Sequence, residues 1–189
     1  MSGHRSITLG RLVAWLTLSA VGVPSLAQSP APAPPAARAA RAGADTQRVV
    51  FVCEHGTVKS VVAAAHFNQL ARARGLPFVA VSRGTAPDSA LPVLVRNGLL
   101  ADGTGPWLAA PTLFRAADAD GVSVVVSFDQ PVDAVVAGRA PVRHWDGTPS
   151  VMRDYATGRD SIVTRVAALV DELQRSTSRK PLPNRAPRP

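Results

Sequence analysis

One cysteine, Cys53, is all that this 189-residue chain carries. An internal disulfide is thereby excluded, so the fold must rest on its apolar core alone. With that one thiol and four scattered histidines, no metal-ligand spacing occurs either, and no metal or cofactor is expected. Aromatic residues are few, 5% of the chain, and no aromatic-walled cleft can be read from them. Long apolar runs are also missing. The stretch from Leu12 to Val23 falls short of the roughly 20 residues that a membrane-spanning helix needs. No internal repeat is evident.

The excess of positive charge is unevenly placed. The formal net charge is +8, but nine of the 21 cations lie before residue 49 or after residue 176, and so does one of the 13 acids. The twelve cations left between those limits meet twelve acids. Basic residues spread over flanking segments give weak attraction to anionic surfaces and exclude a specific nucleic-acid reader.

Those flanks differ in composition from the rest. Residues 1–27 combine a basic start (His4, Arg5, Arg11), the Leu12–Val23 run and Ser25-Leu26-Ala27, a small-x-small site of the kind that signal peptidase cuts. A cleaved secretory signal is expected, with a secreted or periplasmic product and no stable membrane insertion. Residues 28–47 are rich in Pro and Ala and are expected to form a mobile linker. Residues 176–189, with four prolines and four cations, are expected to be a disordered tail. The foldable domain is then 48–175, long enough to bury a core.

Within it, strand and helix patterns alternate. Strands are expected at Arg48–Cys53, Pro77–Ser82, Gly121–Ser127 and Pro141–His144. Helices are expected at Thr57–Arg74, ended by Gly75, at Leu91–Leu100, and at Ser150–Gln174 with Ser150 as N-cap. Asp102–Pro111 reads as loop and Pro111–Ala117 as one or two helical turns. Such alternation implies βαβ units, hence an α/β fold of three layers (α/β/α) around a parallel sheet of about four strands. Ligands of such sheets sit beyond the carboxyl ends of the strands, where Cys53 falls.

The segment that carries chemistry is Val49-Val50-Phe51-Val52-Cys53-Glu54-His55-Gly56-Thr57-Val58-Lys59-Ser60. An apolar strand ends in the cysteine, a tight loop follows, and a cation and a hydroxyl open a helix. Backbone N–H groups of residues 54–60 would converge on one point, where the helix dipole also favours negative charge. That arrangement suits a thiolate beside a phosphate-like oxyanion.

This pattern resembles the low-molecular-weight protein tyrosine phosphatases and their relatives, the thioredoxin-coupled arsenate reductases, which carry Cys-x5-Arg-Ser directly after the first strand. The resemblance extends over about Arg48–Gln174. It implies that Cys53 is a nucleophile forming a phosphocysteine, and that Ser60 steadies its thiolate. The loop Glu54, His55, Gly56, Thr57, Val58, Lys59 and Ser60 would then cradle the phosphoryl group, with Lys59 where the family has arginine. Lysine offers a point charge in place of a planar fork, and losing one charge-assisted hydrogen bond costs on the order of 1.5–3 kcal/mol. Ser82-Arg83-Gly84-Thr85 is similar to the family's Ser-Ala-Gly-Thr, and Arg83 is a candidate to supply the guanidinium absent at 59. The family's general acid is an aspartate followed by proline. Asp146, in Trp145-Asp146-Gly147-Thr148-Pro149, is the candidate here, with Asp129 and Asp154 as alternatives. The expected substrate is a phosphorylated small molecule or a phosphotyrosine protein. A silent oxyanion-binding protein on the same fold is the alternative. Arsenate reduction is a third reading, opposed by the absence of the further cysteines through which those relatives pass a disulfide.

Overall fold

The computed structural model describes residues 46–179. The signal-peptide segment and nearly all of the linker lie outside the described residues, as does most of the basic tail.

Four strands form one sheet, β1 (Gln47–Cys53), β2 (Phe78–Gly84), β3 (Val122–Ser127) and β4 (Val142–His144), all parallel and ordered β2-β1-β3-β4. Among the described residues four helices accompany it: α1 (Lys59–Ala73), α2 (Val93–Ala101), α3 (Asp133–Val136) and α4 (Tyr155–Arg179). This is the expected α/β class with a four-stranded parallel sheet. β1 is central, and its run from Val49 to Cys53 is buried on both faces, as a continuous apolar strand must be.

Alternation along β1 divides the interior into two cores. Val49, Phe51 and Cys53 face α1, α2 and α4, and pack with Phe67, Leu99, Val126, Phe128, Ile162 and Leu169. Val50 and Val52 face a smaller core with Phe114, Ala119, Val125, Val132 and Val136. The second face is covered by the four-residue α3 and a 3-10 turn at Ala116–Ala119, a thinner layer than the alternation suggests. Trp145 belongs to the larger core, its ring 5.7 Å from Phe51 and 5.5 Å from Phe128, centre to centre.

A half-buried carboxylate, Asp102, ties the helices together where α2 ends. It accepts hydrogen bonds from Tyr155 Oη at 2.7 Å and Arg159 Nη1 at 2.9 Å, both on α4. His66 Nε2 of α1 lies 3.3 Å away. Gly98 makes room for this hub, because a Cβ there would fall 2.2 Å from the Tyr155 ring.

Element ends differ most from expectation in three places. α4 begins at Tyr155, not Ser150: Asp154 takes the capping role, accepting the Thr157 N–H at 3.1 Å, while the Ser150 carbonyl closes a separate turn. At its other end α4 runs to Arg179, into the stretch expected to be tail. The Pro111–Ala117 stretch begins instead as an extended bridge, Leu113 pairing with Gly84, and winds into the 3-10 turn only at Ala116.

Candidate functional site

The loop between β1 and α1 folds back on its own cysteine. Cys53 Sγ, almost fully buried, accepts the Gly56 N–H at 3.2 Å and lies 3.1 Å from Ser60 Oγ. Gly56 has φ +65°, a left-handed conformation open to glycine at little cost. The first turn of α1 has neither a side-chain cap nor an acidic residue. An N-terminus of this kind, at the positive end of the helix dipole, suits an anion.

A second loop supports the first. Thr85, Ala86 and Asp88 donate their backbone N–H groups to the carbonyls of Cys53, Glu54 and His55, at 3.0, 2.8 and 3.1 Å. Thr57 is fully buried, and its hydroxyl donates to Asp88 Oδ2 at 2.8 Å. His55 Nδ1 lies 3.3 Å from the other oxygen of Asp88, while Glu54 is exposed beside the His55 ring. The two loops touch through glycines: a Cβ on Gly84 would come within 2.7 Å of the Gly56 nitrogen.

Above Cys53 opens a cavity of about 220 Å³, lined by Cys53, Glu54, His55, Val58, Lys59, Phe128, Asp129, Gln130, Ser150, Val151 and Met152. It is smaller than the ~300–1,000 Å³ of pockets for drug-sized ligands. Lys59 Nζ reaches Asp129 Oδ2 at 2.6 Å across this cavity, and Asp129 Oδ1 accepts the Gly147 N–H at 3.0 Å. Burial pushes the Asp129 carboxyl up, but Lys59 and the Gly147 N–H outweigh it, helped by the more distant Arg165. The net result is a carboxyl below its ordinary value.

Of the sequence candidates, the residues from Cys53 to Ser60 form one strand–loop–helix turn; Cys53, Glu54, His55, Val58 and Lys59 line the cavity together with Asp129, whereas Gly56, Thr57 and Ser60 do not, and Thr57 and Ser60 are fully buried. Asp146 does not line it. That side chain is exposed in an adjoining depression with Asp133 and His144, which shares Asp129 and Gln130 with the first cavity. Its carbonyl accepts both terminal nitrogens of Arg165 at 3.3 Å. Asp154 is the α4 cap, its carboxyl lowered first by the Thr157 hydroxyl and then by the Thr157 N–H.

Arg83 is corrected by register. It pairs with Val52, so it projects from the face opposite Cys53, and it donates to Asp118 at 2.8 Å and to the Ser82 carbonyl. The structure does not bring it to the Cys53 loop.

Asp88, Gln130 and the Ser150–Met152 segment were not foreseen. Asp129 does carry a sequence signal, since it directly follows the apolar β3 run and so lies at a carboxyl end of the sheet.

No family model and no curated protein matches this chain in sequence. Solved structures do match its fold. A low-molecular-weight protein tyrosine phosphatase from Bacillus subtilis is similar with a TM-score of 0.58 and 16% identity, over 69% of this chain and 99% of that one. An arginine phosphatase from Geobacillus stearothermophilus gives 0.58 and 19% identity, over 73% and 99%. A thioredoxin-dependent arsenate reductase from Corynebacterium glutamicum gives 0.52 and 19%, over 70% of this chain and 62% of that one. Four parallel strands, with a cysteine loop at the end of the central one, thus make up a domain with the fold shared by low-molecular-weight phosphatases and arsenate reductases.

Proposed function

We propose that this protein is an exported phosphomonoester hydrolase that uses Cys53 as nucleophile. The observation that carries the reading is Cys53 Sγ on the cavity floor, between the Gly56 N–H and the Ser60 hydroxyl, at the head of an uncapped helix. A thiolate there attacks phosphorus, a P–S bond forms, and the bond to the leaving oxygen breaks. The loop N–H groups and Lys59 hold the phosphoryl oxygens, and Ser60 holds the thiolate when it leaves again. Water then attacks phosphorus, the P–S bond breaks, and phosphate departs.

The leaving oxygen needs a proton. Asp129, held ionised by Lys59, is a poor donor at neutral pH. We assign that role to Asp146, exposed on the loop next to the cavity. Export is supported by the signal-like composition of residues 1–27.

A second reading is an oxyanion-binding protein without turnover. It is favoured by Lys59 being engaged by Asp129, and by Asp146 lying outside the cavity.

The test is p-nitrophenyl phosphate hydrolysis by the full chain and by Cys53→Ser under reducing conditions. Hydrolysis that disappears in the variant is expected. Hydrolysis surviving in Cys53→Ser refutes the nucleophile. Two silent proteins that bind inorganic phosphate leave the second reading.

A further inference from the structure

We infer that Asp129 is the built-in counter-anion of this pocket, competing with the ligand for Lys59 and so setting its oxyanion affinity. The inference rests on reading the Cys53 loop as an oxyanion site. Lys59 is the one lysine or arginine among the residues that line the cavity. Its ammonium is already engaged, 2.6 Å from Asp129 Oδ2.

Asp129 is held in place by more than this bond. Its backbone has φ +53°, a conformation that most side chains avoid and that aspartate and asparagine tolerate. Its second oxygen is fixed by the Gly147 N–H. Both carboxylate oxygens therefore have a donor, and the side chain bridges the start of α1 to the loop after β4.

A phosphoryl dianion entering the cavity meets this carboxylate as a like charge, and needs the cation that the carboxylate holds. Binding exchanges one anion for another at Lys59, so its net gain is small. Arginine and lysine carry the same single charge, but the ammonium concentrates it on one nitrogen, so two anions at Lys59 crowd and repel each other more than on a guanidinium fork. Asp129 thus selects for ligands that bring less negative charge, or more hydrogen-bond acceptors for the loop N–H groups. The Gly147 contact couples the exchange to the loop that carries Asp146.

The experiment is calorimetric titration of the full chain with inorganic phosphate at neutral pH, beside Asp129→Asn, Asp129→Gly, Lys59→Met and the double variant Asp129→Asn/Lys59→Met. Asparagine and glycine both accept the left-handed backbone, so the fold is retained, and melting curves check it. Removing the carboxylate is expected to tighten phosphate binding at least ~10-fold, the equivalent of one recovered charge-assisted hydrogen bond. Lys59→Met is expected to weaken the parent only a few-fold, but to erase the whole gain in the Asp129→Asn background. A parent that binds phosphate while both Asp129 variants bind it equally or more weakly overturns the inference and leaves the anion site standing. Absence of binding in the parent and in both folded Asp129 variants overturns the anion site itself, and the inference with it.

Discussion

Gly84→Ala tests whether the two touching loops define the site. Gly84 closes β2 beside Cys53 in register, and a Cβ there would lie 2.7 Å from Gly56 N, 2.8 Å from His55 C and 3.0 Å from Glu54 O. Ordinary van der Waals contact starts at 3.4 Å, so the nearest pair must separate by about 0.7 Å. Gly84 cannot retreat, because Thr112 O and Phe114 N clamp its N–H and carbonyl at 2.9 and 2.8 Å. The atoms it would meet are backbone, so the Cys53 loop itself has to move. Overpacking of this kind costs roughly 1–3 kcal/mol in stability. Its effect on the site is larger. The Gly56 N–H that contacts Cys53 Sγ belongs to the displaced peptide, and misplacement of reacting groups approaching 1 Å costs about 10²-fold in rate. Hydrolysis of p-nitrophenyl phosphate is therefore expected to fall about 100-fold, or phosphate affinity to fall in parallel if turnover is absent, with a melting temperature lower by several degrees. The control is Gly75→Ala at the end of α1, where φ is +63° but nothing lies within 4 Å. It should lose stability by about 1–2 kcal/mol with phosphate binding and turnover unchanged. Gly84→Ala with turnover or affinity within three-fold of the parent would refute the reasoning.

Two further outcomes follow from side chains away from the loop. Arg83→Ala should leave turnover within about two-fold, because its side chain lies across the sheet from Cys53, while losing the Asp118 ion pair costs about 1–3 kcal/mol in denaturant unfolding; a ten-fold loss of activity would instead place this guanidinium in the site. Burial holds His66 below its ordinary 6.5 even though Asp102 pulls it upward. The unfolded chain then binds a proton that the folded one refuses, so stability is retained above about 6.5 and declines as pH falls from there toward the folded value, by at most about 1.4 kcal/mol per pH unit. Melting temperatures from pH 8 to 5 should show this decline, and His66→Gln should flatten it; equal slopes in both proteins would remove His66 as its source.

The strand, loop and helix from Gln47 to Ala73 are legible in the chain because every determinant is local. An apolar run makes β1, Gly56 permits the turn, and apolar residues at helical spacing carry α1 to Gly75. The parallel α/β sheet follows from the alternation of such segments, and the cysteine loop from adjacency along the backbone. Shorter devices escape that reading. α3 spans four residues, too few to show a period, and α4 is capped by Asp154, in a stretch where Ser150 carries the same chemistry.

What tertiary structure alone decided is where the remaining polar side chains point. Arg83 and Cys53 lie near the ends of neighbouring strands, yet pairing of Val52 with Arg83 sends them to opposite faces, since a step of one residue reverses direction in a strand. Asp129 reaches Lys59 across 70 residues of sequence because β3 lies beside β1, and a left-handed turn after Phe128 aims its carboxylate inward. Asp102 gathers His66, Tyr155 and Arg159 only once three helices have packed. Residue type and local period determine that an element exists and what chemistry it carries; strand order and register determine which of those groups meet.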